Sequence, residues 1–211
     1  RDMFGAELDM VRWVEIGSQY MSGAEKAALR AALPNANIVQ HYGLTESSRT
    51  TFLRVHSEAE TALESVGRPE GKTQVRINSE GLIEICGPNV ALGIQTKNEF
   101  IALGKGAWLE TSDQGRIENG YLYYDGRADD MINCGGIKLS PDLIENHVRQ
   151  SLPEIGDFCV LRTSDTIRGD AILLAVTPDA ESASKAIVVD VCTYAKGLGL
   201  SVMDAVQVRK V

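Results

Sequence analysis

One helix in this chain carries both of its end signals, and it lies between two short β-like runs. Ser22 can cap the helix while Glu25, three residues on, reaches back to the cap, the reciprocal pair of a capping box. An Ala- and Leu-rich stretch follows from about Gly23 to Leu33, and Pro34 stops it because proline has no N–H to donate. Residues 11–16 (Val-Arg-Trp-Val-Glu-Ile) read as a strand that leaves through the turn Gly17-Ser18-Gln19. Ile38-Val39-Gln40-His41-Tyr42 reads as a second strand, ended by Gly43. Strand, helix, strand in that order points to a parallel α/β layer. Ligands of such layers sit at the C-terminal ends of the strands, where Gly17 and Gly43 both fall.

The texture changes downstream. From about Val66 to Tyr124, short β-like runs (73–77, 82–86 and 121–124) alternate with turn residues such as Ser79-Glu80-Gly81, Gly87-Pro88-Asn89 and Glu118-Asn119-Gly120. This predicts a β-rich module, a barrel or a curved sheet. After Gly126-Arg127, Pro141 opens a helix to about Leu152, strands are expected at 158–162, 171–176 and 205–211, and a helix at 181–196 ended by Gly197. The organisation expected is therefore residues 1–126, divided into an α/β piece (1–60) and the β-rich module (61–126), and a compact α+β domain at 127–211. At 211 residues, 44% hydrophobic, the chain is long enough for these cores.

A formal net charge of −8 argues against a general nucleic-acid binder. Apolar runs such as Ala171 to Val176 are strand-sized, so no membrane span is expected. The chain opens on Arg1-Asp2-Met3-Phe4, with neither an initiating Met nor a signal peptide, and is expected to begin inside a longer one. Cys86, Cys134, Cys159 and Cys192 lack zinc-type spacing and read as reduced, mostly buried residues of a cytoplasmic protein.

Three segments carry chemistry. In His41-Tyr42-Gly43-Leu44-Thr45-Glu46-Ser47 an aromatic face can stack on a heterocycle, a glycine permits close backbone approach, a hydroxyl can bond a phosphate and a carboxylate suits Mg²⁺. The bland alternative is a strand end followed by a polar helix cap. In Trp108-Leu109-Glu110-Thr111-Ser112-Asp113-Gln114-Gly115 the Asp can accept from a ribose diol, or simply be a turn residue. In Gly126-Arg127-Ala128-Asp129-Asp130, reaching Gly135-Gly136-Ile137-Lys138, Arg127 offers planar donors to hydroxyls or phosphate. The alternatives there are a solvated charged linker and a plain β-turn. Arg127 lies fourteen residues after Asp113, so one hairpin could bring both side chains to a single ligand.

Taken in order, Tyr42-Gly43-Leu44-Thr45-Glu46, Gly67-Arg68-Pro69, Thr111-Ser112-Asp113, Gly126-Arg127-Ala128-Asp129-Asp130, Gly135-Gly136-Ile137-Lys138-Leu139-Ser140-Pro141 and Ile144-Glu145 resemble the adenylate-forming superfamily. That superfamily includes acyl- and aryl-CoA synthetases, peptide-synthetase adenylation domains and beetle luciferase. The resemblance covers nearly the whole chain, from about Val14 to Val211. It implies the end of a large α/β domain with a barrel-like β-rich subdomain, followed by a small, mobile, truncated α+β domain. It implies that Gly17, Ser18 and Gln19 line the adenine pocket, although the family's usual Gly-Gly-Ala or Gly-Ala-Pro is not matched there. It places Tyr42 on adenine, His41 and Gly43 beside the nucleotide and acyl group, Thr45 on phosphate and Glu46 on Mg²⁺. Asp113 would hold the ribose, with Ser112 standing where a Gly is usual. Tyr124 would lie near the nucleotide and Arg127 on ribose or phosphate. Asp129 matches the hinge, and Gly135-Gly136 and Lys138 the channel for a pantetheine thiol.

The implied reaction joins a carboxylate to the α-phosphate of ATP, releasing pyrophosphate, and then passes the acyl group to a thiol as AMP leaves. ATP/AMP, Mg²⁺ and CoA are the implied cofactors, and a small carboxylic acid with CoA, or with a carrier-protein pantetheine, the partners. No nucleic acid is expected, and self-association is left open. The family's Gly/Ser/Thr-rich phosphate loop is absent from the sequence and belongs upstream of Arg1, and its catalytic Lys belongs after Val211, so residues 1–211 alone are expected to make no acyl-adenylate. A carrier-loading adenylation domain and a non-catalytic binding relic are the competing functions. Retention of Thr45, Glu46, Asp113 and Arg127 together weighs against the relic.

Overall fold

The computed structural model describes residues 8–17, 20–200 and 206–211. The chain divides into two compact units, Arg1–Tyr124 and Asp125–Val211.

In the first unit, helix α1 (Gly23–Ala32) starts where its sequence says it should. Glu25 N–H donates to Ser22 Oγ (3.2 Å) while Ser22 N–H donates to Glu25 Oε2 (2.8 Å), completing the capping box. Such a cap is worth about 1 kcal/mol. Strands β1 (Trp13–Ile16) and β2 (Asn37–Leu44) pair in parallel on either side of it in sequence, as the strand–helix–strand order requires. Leu33, Ala36, Ile38, Leu53, Val55 and Leu63 form the core with α1 residues Ala27 and Leu29 packed against it. Lys26, on the same helix, is fully buried. Its amine donates to the carbonyls of Leu63 (2.6 Å) and Ser65 (2.9 Å), and burial pushes it down to about 8 against the opposing pull of Glu64 and Glu25.

Here the structure departs from expectation. The second strand does not end at Gly43. It runs to Leu44 and turns through Thr45-Glu46 into β3 (Ser47–Arg54), which returns antiparallel and pairs with the short β4 (Arg68–Pro69). Residues 47–54 alternate polar and apolar only loosely, so the strand carries little sequence signal. The polar stretch after Gly43 is thus a hairpin turn, and the helix-cap alternative falls.

The β-rich module is an open, curled antiparallel sheet. Strands β5 (Gln74–Ile77), β6 (Leu82–Cys86), β9 (Leu109–Glu118) and β10 (Tyr121–Arg127) stand in the order β10-β9-β6-β5. Asn119 (φ +51°) and Gly120 (φ +81°) join β9 to β10, the left-handed pair that a two-residue hairpin favours. A small exposed hairpin, β7 (Gly93–Gln95) with β8 (Phe100–Ala102), was not anticipated. Ile83, Ile85, Leu122 and Val66 form a second apolar cluster that includes Tyr42 from β2.

The second unit holds β11 (Ile132–Cys134), β12 (Ile137–Leu139), α2 (Pro141–Ser151), β13 (Phe158–Asp165), β14 (Gly169–Val176), α3 (Ser184–Gly197) and β15 (Val206–Lys210). The sheet runs β12-β11-β14-β13, with β15 parallel to β14. Pro141 sits in the first turn of α2 behind the N-cap Ser140. The expected 181–196 helix begins as a 3-10 turn at Glu181–Ala183 before α3 proper. All four cysteines are free. Cys134 alone is buried and the other three are only partly covered, which corrects the expectation of mostly buried thiols. Among the described residues no helix is long and apolar enough to cross a membrane.

Candidate functional site

Asp113 is not in a turn. It sits inside β9, where Leu109, Thr111 and Asp113 alternate inward with the outward Glu110 and Ser112. Asp113 is 4% exposed, and Tyr42 donates its phenol hydrogen to Oδ2 at 2.6 Å. Thr111 fixes the backbone there: Asp113 N–H donates to Thr111 Oγ1 (3.1 Å), which donates to the Ile83 carbonyl (2.8 Å). The Tyr124 ring lies 6.3 Å from the Tyr42 ring, tilted 39°. Burial first, and then the neighbouring Asp113 charge, raises the Tyr42 phenol above its ordinary range. The phenol is therefore a fixed donor, and it holds the carboxylate in one orientation.

Two residues beyond Tyr42 the backbone enters the Thr45-Glu46 turn, with Leu44 paired to Ser47. The register then shifts: three residues of β3 (Ser48, Arg49, Thr50) face the single residue Gly43. Arg49 takes the left-handed conformation (φ +51°) in this bulge. A Cβ on Gly43 would stand 2.5 Å from Arg49 N and 2.9 Å from the Ser47 carbonyl, so only glycine fits. Thr45 is exposed and Glu46 half-buried. Among the described residues no group of three His, Cys, Asp or Glu side chains gathers as a metal site. A lone carboxylate on a turn still fits Mg²⁺ chemistry, because that ion takes one or two protein carboxylates and the rest of its ligands from phosphates and water.

At the end of β1, a side chain on Gly17 would overlap the His41 imidazole. His41 Nε2 lies 3.5 Å from Glu15 Oε1, to which Arg49 Nε donates at 2.8 Å. That hydrogen bond holds the Glu15 carboxyl below its usual range. Ser18 and Gln19 lie outside the described residues. Sequence reasoning missed Gln40. It is 3% exposed, two residues before Tyr42 on β2, and its Oε1 is buried without a partner among the described residues, as is His41 Nδ1. The signal was available: an amide at an inward position between Ile38 and Tyr42 has no packing reason to be there.

The remaining expected residues belong to the second unit. Arg127, at the end of β10, grips Asp129 through Nε and Nη2 (both 3.1 Å), with Asp130 at 3.8 Å. The Arg127 hydrogen bond holds the Asp129 carboxyl low. The stretch for which a solvated charged linker was the alternative is exposed but internally paired. Gly135 (φ +59°) and Gly136 (φ +85°) are the two-residue turn between β11 and β12, and Lys138 is exposed on β12 opposite Asn133. The structure thus brings Tyr42, Asp113 and Tyr124 together, and separately Gly17, His41, Glu15 and Arg49.

No protein-family model matches the chain. Curated relatives do. The 4-coumarate–CoA ligase-like 6 protein of Oryza sativa subsp. japonica is 31% identical over 64% of this chain and 25% of its own length. The 2-succinylbenzoate–CoA ligase of Oceanobacillus iheyensis is 33% identical over 56% of this chain and 26% of its own, and the indoleacetate–CoA ligase of Aromatoleum aromaticum 28% identical over 82% and 36%. The chain thus spans only a quarter to about a third of these relatives. Among solved structures, o-succinylbenzoate CoA synthetase from Bacillus subtilis with its acyl-adenylate intermediate shares the fold at TM-score 0.74, with 23% identity over 94% of this chain and 42% of that one. The amide bond synthetase of Marinactinospora thermotolerans does so at 0.73, with 22% identity over 95% and 42%. Ordered motifs, curled sheet and relatives agree: the chain belongs to the adenylate-forming acyl-CoA ligase superfamily.

Proposed function

We propose that the protein carrying this chain activates a carboxylic acid with ATP and passes the acyl group to the thiol of CoA. The observation that carries the reading is the Tyr42–Asp113 hydrogen bond beside Tyr124, which assembles an aromatic surface and an oriented buried carboxylate from strands 71 residues apart. A structure of the Bacillus subtilis synthetase with ATP and magnesium shares the fold at TM-score 0.72.

In this reading Tyr42 packs on the purine with Tyr124 near the nucleotide, Gln40 Oε1 accepts from an exocyclic amine at its edge, and Asp113 takes the ribose hydroxyls. The Thr45 hydroxyl donates to a phosphate oxygen, and Glu46 holds Mg²⁺, which would neutralise phosphate charge as pyrophosphate departs. The acid's carboxylate oxygen bonds to the α-phosphorus as the bond to the β-phosphate oxygen breaks. A thiolate then bonds to the acyl carbon and AMP leaves with the electron pair. Arg127 supplies donors to the ribose or phosphate, Asp129 is the pivot, and the side-chain-free Gly135-Gly136 turn with Lys138 admits the thiol arm.

The test is AMP binding by calorimetry and ATP–pyrophosphate exchange, run on residues 1–211 and on the full-length protein. Asp113→Asn is expected to weaken AMP by about tenfold or more, the loss of a hydrogen bond to a charged group. The full-length protein is expected to exchange pyrophosphate and residues 1–211 alone to give none. Equal AMP affinity in the wild type and Asp113→Asn would remove the reading. CoA against a pantetheinylated carrier protein as acceptor separates the two ligase types.

A further inference from the structure

The Thr45-Glu46 turn does not hold its own shape. Two-residue hairpins match strand twist when the first turn residue, or both, take positive φ, and turns without it splay the strands. Among the described non-glycine residues only Arg49 and Asn119 have positive φ, so Thr45 and Glu46 form a turn that twists the wrong way. The left-handed non-glycine residue nearest the turn is Arg49, in the bulge three residues beyond Glu46. Something outside the hairpin must set where the turn points, and a neighbouring loop does so. Asn89 Nδ2 lies 2.9 Å from Ser47 Oγ, 3.2 Å from the Ser48 carbonyl and 3.3 Å from Thr50 Oγ1, spanning the bulge from end to end. Thr73 Oγ1 donates to Asn89 Oδ1 at 3.0 Å, which fixes the amide so that its N–H₂ faces the bulge. Ser47 and Thr50 are fully buried and 3.0 Å apart, so two of the three contacts end on side chains shielded from water, while the contact to the Ser48 carbonyl is exposed. The same loop reaches the turn directly: Ala91 N–H donates to the Glu46 carbonyl at 2.8 Å, and Val90 bridges Ser47.

We propose that Asn89 is a positioning residue for the reaction, a latch that fixes the Thr45-Glu46 turn so that Glu46 meets the metal and Thr45 the phosphate. The role at the metal rests on the function proposed above; the latch itself does not. Outer partners of metal ligands act in this way: removing one typically lowers metal affinity or activity about 10- to 100-fold. Asn89 touches neither nucleotide nor acid in this arrangement, so its loss should register on the metal and not on the acid.

The experiment compares Asn89→Ala and Thr73→Val with wild type in the full-length protein, reading amide hydrogen exchange at Ala91 and Ser47 and the Mg²⁺ dependence of ATP–pyrophosphate exchange. Thr73→Val frees the amide to rotate while leaving Asn89 in place, and so covers the case in which Asn89→Ala fails to fold. Expected for Asn89→Ala are about tenfold faster exchange at Ala91, beyond any change in the slowest-exchanging core amides, and an about tenfold higher Mg²⁺ concentration for half-maximal activity. The KM for the acid should stay within about twofold, and Thr73→Val should fall between wild type and Asn89→Ala. Unchanged exchange at Ala91 overturns the latch. Faster exchange with an unaltered Mg²⁺ requirement reduces Asn89 to a structural tie and overturns the positioning role. If wild type itself shows no pyrophosphate exchange, the ligase reading and the metal role fall together, while the Ala91 amide still decides the latch.

Discussion

The two units bury different things. Among the described residues, the first buries Ser22, Lys26, Gln40, Ser47, Thr50, Thr51, Ser65, Thr111 and Asp113, while the second buries only Ser140 among its polar side chains. The second is organised around one apolar cluster from Ile132 to Leu200. Their two-residue turns follow suit. Thr45-Glu46 presents side chains and is tied from outside by Asn89 and Ala91. Gly135-Gly136 presents bare backbone, and a Cβ on Gly136 would meet nothing within 4 Å. Buried polar groups are costly unless partnered, so where they are partnered they permit one arrangement. The first unit is ordered by such buried polar groups, whereas the second is organised around an apolar body.

Substitutions that exchange these roles test the contrast. The largest effect is expected at Gly43. Gly43→Ala forces a methyl against the backbone of Arg49 and Ser47, which cannot step aside, and should destabilise the protein by about 3 kcal/mol or more in urea unfolding. Lys26 comes next, through pH. Its amine titrates near 8 in the folded protein against an ordinary 10.5. Below pH 8 both states hold the proton. Between 8 and 10.5 the unfolded chain binds a proton that the folded one has released, so stability should climb with pH through that window, by about 3 kcal/mol in all. Lys26→Met should flatten the climb, and an unchanged slope would show that the buried amine does not carry it. Tyr42→Phe removes a hydrogen bond to a carboxylate and should cost about 2 kcal/mol together with weaker AMP binding. A negligible loss would mean that polar pinning does not order the first unit. The smallest effect belongs to Gly136→Ala, about 1 kcal/mol from the left-handed φ alone. If it exceeds that of Gly43→Ala, the contrast between the two turns is wrong.

What could be read in advance was local. Ser22 with Glu25, Pro34, Asn119-Gly120 and Pro141 act within four residues of themselves, through backbone groups that any chain must satisfy. They announced the helix starts, the β9–β10 turn and the parallel order of the first strands. Gly43 was legible as a close approach, but not as the residue facing a bulge. The position of Asp113 is not legible because residues 110–116 hold no apolar side chain between Leu109 and Ile117, and such a run does not look like a strand. Gln40 was passed over because a single buried amide leaves no periodic trace.

The amino-acid sequence by itself determined the first helix starts, the parallel opening strands and the β9–β10 turn, and it supplied the ordered motifs of the family, because these depend on neighbours in the chain. β3, the β7–β8 hairpin and the course of β9 through Asp113 did not follow from it. Only the tertiary structure decided that Tyr42 would meet Asp113 across 71 positions and that Asn89 would reach back 42 to Ser47. Those pairings depend on sheet register and on a bulge, where shifting one strand by one residue turns every side chain to the opposite face.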